Sequence, residues 1–118
     1  MTDTLPRRGE IWNVNFDPTI GAEIKKLRPA LVISPDSIGK LPLCIVVPVT
    51  NWADSFEALP WIVRLRPTRE NGLSKTSGAD CFQVKSVARE RFTEKSGSVT
   101  AEELDLVVSA IQLCIGVY

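Results

Sequence analysis

The 118 residues contain no histidine. That excludes every reaction in which an imidazole carries protons near neutral pH, and removes the commonest zinc and iron ligand. Candidate catalysts are therefore carboxylates, Arg, Lys, Tyr, Thr and Ser. Glu23 and Arg28 lie five positions apart in one loop-like segment, between Gly21 and Pro29. Thr50 ends an apolar run that should lie beside the one opened by Arg28. A carboxylate, a guanidinium and a hydroxyl at the ends of neighbouring strands make a sensible site, because a rigid sheet positions such residues. The same three have plainer readings. Glu23 and Arg28 fit a surface ion pair contributing under ~1 kcal/mol, and Thr50 fits a turn residue bonding the backbone. On pattern alone both readings stay open.

The elements that must position these residues read as mainly β. Gly9 to Phe16 is predicted as a strand, with Trp12, Val14 and Phe16 alternating against Asn13 and Asn15. A loop of some ten residues from Asp17 is broken by Pro18 and Gly21. Arg28-Pro29 then opens Ala30 to Ile33, an apolar run that fits a strand buried on both faces, with Pro29 confined to its start. Ser34 to Leu41 reads as a loop, and Leu43 to Val49 as a second buried strand interrupted by Pro48. Thr50 to Pro60 is a connection with one helical turn. Trp61 to Arg66 alternates, with Trp61, Val63 and Leu65 inward, and Asn71-Gly72 is a turn signal. Ala79 to Val87 reads as a further strand, with a short one at Arg89–Phe92.

Only the C-terminal segment has helical periodicity. Thr100-Ala-Glu-Glu103 is a capping box, and Leu104, Val107, Val108, Ile111 and Ile115 form an apolar stripe that Gly116 ends. Short strands followed by one amphipathic helix predict a compact antiparallel sheet or small barrel with the helix packed on it, in a single domain spanning residues 1–118.

Composition narrows the function classes. With 44% apolar and 24% charged residues, the chain is neither disordered nor membrane-spanning, since its longest apolar runs fall far short of roughly 20 residues. The opening MTDTLPRRGE shows no signal-peptide pattern, so a cytoplasmic protein is expected. Cys44, Cys81 and Cys114 are widely spaced and read as buried reduced thiols. Fourteen basic residues balance fourteen acidic ones. Their distribution is uneven, with Glu102, Glu103 and Asp105 unopposed in the last nineteen residues and basic clusters at Lys25, Lys26 and Arg28 and at Arg64, Arg66 and Arg69.

Four segments, in order, carry a resemblance. Arg8 to Ser34 contains the pattern G-x-E-x-x-x-x-R-P-x-L-V, and Val46-Val-Pro-Val-Thr50, Phe82-Gln-Val-Lys-Ser-Val87 and Gly97-Ser-Val-Thr-Ala-Glu-Glu-Leu104 follow. Together they resemble the MazF/PemK (Kid) toxins of type II toxin–antitoxin systems, across nearly the whole chain. The resemblance implies an SH3-like barrel of the MazF/PemK/CcdB type and a homodimer. It also implies sequence-specific, metal-independent cleavage of single-stranded RNA to 2′,3′-cyclic phosphate and 5′-hydroxyl ends, and inhibition by a cognate antitoxin. It needs no cofactor and no metal. The family's essential arginine falls on Arg28, its threonine on Thr50 and its loop glutamate on Glu23. Arg28 then stabilises phosphate charge, Thr50 donates a further hydrogen bond, and Glu23 either takes the 2′-hydroxyl proton or reads a base edge. RNA contacts fall on Gln83, with Asn51, Lys25, Lys26 and Trp52 beside them.

Two positions depart from the pattern. Ala22 stands where some relatives have a histidine, and Phe82 where members commonly have an acid before the glutamine; Asp80, two residues back, shares the face of Phe82 if the strand is regular. Phe82 reads as a core residue or as a platform for a base. Two other readings on the same scaffold are a non-nuclease, gyrase-directed toxin of the CcdB type and a catalytically degenerate binder. The chain's ending, Leu113-Cys-Ile-Gly-Val-Tyr118, lacks the Trp-Gly-Ile of the gyrase-directed toxin.

Overall fold

Period-two alternation sends Trp12, Val14 and Phe16 to one side of the first strand, β1 (Glu10–Asn15), and Ile11 to the other. Both sides are buried, so the sheet carries a core on each face. The computed structural model describes residues 5–36 and 41–118. The first four residues, and positions 37–40 of the expected Ser34–Leu41 loop, lie outside them. Six further strands follow: β2 (Leu27–Val32), β3 (Leu43–Asn51), β4 (Ile62–Leu65), β5 (Ser77–Asp80), β6 (Lys85–Ala88) and β7 (Phe92–Ser98), then helix α1 (Ala101–Cys114). All strand pairs are antiparallel.

Strand β3 is the hub. The order is β4-β5-β3-β2-β1-β7, with β6 pairing the first half of β3 and β5 its last three residues. Ala30, Leu31, Val32, Val46 and Val47 are all fully buried, as expected of strands covered on both faces. On one face Ile11, Leu31, Val47, Val49 and Leu65 pack under Val107 and Ala110 of α1. Each such large side chain contributes roughly 1.5–3 kcal/mol on burial. On the other, Trp12, Val14, Ala30, Val32 and Val46 are covered by Ile24 and Phe92, so the β1–β2 loop itself roofs part of the core.

The proline positions differ from expectation, and backbone geometry says why. Pro29 is the third residue of β2, not its first, and Pro48 lies inside an unbroken nine-residue β3. Ile33 N–H donates to Ile45 O at 2.9 Å, so odd-numbered residues of β2 turn their amides toward β3. Pairing with β3 begins only at Ala30, and the missing N–H of Pro29 faces an unpaired stretch. Pro48 faces the opposite edge of β3, in the gap between its last β6 partner, Val46, and its first β5 partner, Val49.

Other elements were displaced. The expected Ala79–Val87 strand is two strands, β5 and β6, separated by a turn of 3₁₀ helix at Cys81–Gln83. The Asp80 carboxylate accepts the Phe82 N–H at 3.2 Å and starts that turn. The short strand at Arg89–Phe92 is a 3₁₀ turn leading into β7. The 3₁₀ turn at Asp54–Ala58 matches expectation, although Thr50 and Asn51 belong to β3. Thr100 and Glu103 form the capping box, while Ile115, expected on the buried stripe, follows the end of α1 and is 65% exposed.

The expected barrel is an open sheet: among the described strands, β4 and β7 end the path and do not pair with each other. The connection after β4 spans the gap instead, with Ser98 N–H donating to Glu70 O at 2.8 Å. Gly72, at φ +69°, passes so close that a Cβ there would meet Ser96 O at 2.2 Å. Among the described residues no helix is long and apolar enough to cross a membrane.

Candidate functional site

Two cavities open along the second half of β3. Pro48 borders one, and Val49, Thr50 and Asn51 border the other. The second, of about 260 Å³, is also lined by Arg28, Pro29, Gly72 and Lys75. From the Ala30–Pro48 pair, two steps outward on each strand reach Arg28 and Thr50, on one side of the sheet. The structure therefore brings together the arginine and threonine singled out in the sequence, with Asn51 beside them.

The Arg28 side chain is half-buried and aimed by its own loop, its Nε donating to Lys25 O at 3.0 Å. Among the described residues, its terminal guanidinium nitrogens have no protein partner and no ion pair with Glu23. The surface-pair reading of those two residues is thereby overturned. The ionisable residues lining this cavity, Arg28 and Lys75, are both cationic. Such a pocket suits an anion, and a guanidinium fork suits a phosphate. Lys75 carried no sequence signal beyond a polar run.

The neighbouring cavity, of about 450 Å³, is lined by Ala22, Glu23, Ile24, Phe82, Gln83 and Lys85 among others. Glu23 thus lies on this side of the site, not in the cavity of Arg28 and Thr50. Its Oε1 accepts Ile20 N–H at 2.7 Å, within its own loop. Gln83 ties that loop to the 3₁₀ turn: Ile24 N–H donates to its Oε1 at 2.6 Å, and its Nε2 donates to Asp80 Oδ2 at 3.2 Å and Ala22 O at 3.5 Å. The 3₁₀ turn turns Asp80 toward Gln83, where a regular strand would have kept it on the face of Phe82.

The loop has further anchors. Phe16 N–H donates to Lys26 O at 3.0 Å, and Lys26, at the left-handed φ of +70°, donates its own N–H to Asp17 Oδ1 at 2.9 Å. Arg91 Nη1 reaches Asn15 O at 3.0 Å and Asp17 O at 2.6 Å. Sequence reasoning missed Arg91, because its partners are backbone oxygens far away in the chain. The side chains of Lys25 and Lys26 are exposed on this loop.

Three aromatic expectations change. Trp52 lines neither cavity; its ring packs edge-on against Phe56 (5.4 Å between centroids) with the Arg64 guanidinium 4.2 Å from its centre. Trp61, expected in the core, precedes β4 and is only half-buried, with its ring 6.2 Å from that of Phe82. Phe82 is not a core residue: it is 68% exposed. Trp12 is buried as expected. Cys44 and Cys81 are buried free thiols, and Cys114 is half-buried. Burial, then the nearby Cys114 and Asp80, push the Cys81 thiol up to about 12, so it stays protonated. Among the described residues, no three His, Cys, Asp or Glu converge as a metal-binding group.

Comparison with known proteins gives consistent matches. A family described as PemK-like, MazF-like toxin of type II toxin-antitoxin system matches residues 7–115. The endoribonuclease toxin MazF of Escherichia coli strain K12 is 36% identical over 114 residues, covering 95% of this chain and 96% of the relative. The crystal structure of MazF from Deinococcus radiodurans is similar with a TM-score of 0.81 at 30% identity, over 97% of this chain and 99% of that one. A MazE-MazF crystal structure from the same organism matches with a TM-score of 0.75 at 30% identity, over 98% of this chain and 100% of that one.

Proposed function

The chain belongs to the PemK-like, MazF-like toxins of type II toxin–antitoxin systems, and from that premise we propose that it is an endoribonuclease whose reaction is run at Arg28 and Thr50. The observation that carries the reading is the cavity these two residues share, whose ionisable lining is wholly cationic.

The substrate is single-stranded RNA, threaded along β3. The 2′-oxygen of one ribose attacks the adjacent phosphorus and the bond to the 5′-oxygen breaks, leaving a 2′,3′-cyclic phosphate and a 5′-hydroxyl. Negative charge grows on the non-bridging oxygens, where the open end of the Arg28 guanidinium supplies donors that need no reorganisation. The Thr50 hydroxyl adds a hydrogen bond to the same phosphate. Glu23 is the one carboxylate among the residues lining the two cavities. It takes the 2′-hydroxyl proton, and the departing 5′-oxygen is protonated by water. Lys25, Lys26, Lys75 and Asn51 hold flanking backbone, while Gln83 supports the loop and Trp52 the end of β3. No metal ion is required.

The protein works in the cytoplasm as a homodimer and is silenced by a cognate antitoxin, a partner supported by the MazE-MazF structure of a relative; an acidic segment of that antitoxin competes for the cationic cavity.

The test is cleavage of a long mixed-sequence RNA in excess EDTA, with fragment ends mapped, beside Thr50→Ala. Discrete cuts with 5′-hydroxyl ends, lost in the variant, are expected. A folded wild-type protein that makes no cuts, or cuts only when Mg²⁺ is supplied, overturns the reading.

A further inference from the structure

Phe82 is a large apolar ring left 68% exposed beside a cavity that carries polar groups. Leaving it there costs hydrophobic free energy, and the fold enforces it: Asp80 Oδ1 accepts the Phe82 N–H and holds the 3₁₀ turn that lifts the ring out of the sheet. Behind it, Phe82 shares a small apolar cavity with Trp61, Leu113 and Cys114, and the tilted Trp61 ring steadies it. In front, it lines the 450 Å³ cavity with Glu23, Gln83 and Lys85. Phe82 is thus an aromatic wall with a greasy back and a polar-rimmed front.

We infer that Phe82 is the stacking platform of a nucleobase subsite in that front cavity. The inference rests on the RNA-cleaving reading above and adds a residue that fixes which base is held next to the cut. Three observations point to a base. The volume lies within the roughly 300–1,000 Å³ typical of ligand pockets. A base has an apolar face for the ring and a polar edge for the rim, which aromatic side chains exploit in single-strand recognition. The cavity also neighbours the proposed phosphate site along β3, Pro48 bordering the one and Val49 the other. Gln83 is committed through both ends of its amide, to Ile24 of the loop and to Asp80, so the charged group left to meet the base edge is the Lys85 ammonium. Recognition there leans on stacking more than on hydrogen-bond readout.

The experiment uses the full chain and a short RNA containing a mapped cleavage site. Binding is measured on its 2′-O-methyl form, which has no attacking hydroxyl, and cleavage on the unmodified form. Variants are Phe82→Ala, Phe82→Leu, which keeps bulk without a π face, and Phe82→Tyr. Stacking predicts roughly 5- to 150-fold weaker binding for Ala and Leu, with Tyr within about twofold of wild type. Base preference at one position beside the cut relaxes with it. If all three variants bind and choose sites like wild type, the subsite is wrong while the ribonuclease stands. If wild type neither binds nor cuts any RNA, the underlying reading itself fails. Should Phe82→Ala and Phe82→Leu instead shift the sedimentation mass or abolish antitoxin binding with RNA binding intact, the ring belongs to a protein interface and the inference is overturned.

Discussion

The two cavities along β3 are built on opposite plans. The Arg28–Thr50 cavity is made from strand ends, and its donors are left open: the terminal nitrogens of Arg28 have no partner among the described residues. The Phe82–Gln83 cavity is made from a loop and a 3₁₀ turn, and its Glu23 and Gln83 side chains are already bonded within and between them. Free donors on rigid strands suit transition-state charge, which rewards groups that need not reorganise. An interlocked loop presenting an aromatic ring suits recognition, where shape and stacking decide. On the proposed function, phosphate stabilisation and base selection thus fall to adjoining stretches of one strand.

Breaking the first cavity should give the largest effect. Arg28→Ala is expected to slow cleavage about 10²–10³-fold in single-turnover assays with an unchanged thermal midpoint, and Arg28→Lys to recover only part, since the ammonium lacks the fork. Breaking the second through its anchor should be milder and of another kind. Gln83→Ala leaves Ile24 N–H without its acceptor, a local cost of about 1–3 kcal/mol. Amide exchange at Ile24 and its loop should accelerate roughly 5- to 150-fold, and RNA affinity should fall more than the rate at saturation.

Gly72 sharpens the comparison from the protein side, because it lines the first cavity and touches β7. Gly72→Ala must take a left-handed φ and displace the Ser96 carbonyl, so a loss of at least about 1 kcal/mol is expected. A calorimetric midpoint lower by about 4 °C or more would register it.

The smallest effect lies away from both cavities, at Glu10. Burial alone would raise its pKa, but it is outweighed by the hydrogen bonds from Lys95, Trp12 and the Arg7 amide, and the net value lies below the ordinary 4.5. A carboxylate depressed in the folded state stabilises above its unfolded value, and that contribution is lost as pH falls through the folded one. Denaturant midpoints should therefore fall less steeply below pH 4.5 in Glu10→Gln than in wild type.

How legible all this was from the chain follows from the kind of pattern each part carries. Strand β1 and helix α1 have clear periods, β2 and β3 have continuous apolar runs, and Arg28 and Thr50 could be placed at strand ends from the runs they bound. Strand β7 was invisible because, among the described strands, it pairs with β1 alone and shows Thr93, Glu94 and Lys95 to solvent. The split between β5 and β6 turns on one Asp80 hydrogen bond, which leaves no periodic trace. Asn71 marked a turn, but not that it is fully buried, its Oδ1 accepting from Thr68 and Leu73 amides and its Nδ2 donating to Arg66 O. Partnerships of this kind join positions that no local spacing connects.

The division of labour is tested most directly by single-turnover cleavage of one mapped RNA over a full range of protein concentrations, for wild type, Arg28→Ala and Phe82→Ala. The expected result is that Phe82→Ala needs far more protein but reaches the wild-type rate at saturation, whereas Arg28→Ala stays slow however much is added. If saturating protein restores Arg28→Ala, or fails to restore Phe82→Ala, Arg28 and Phe82 do not divide phosphate stabilisation from recognition.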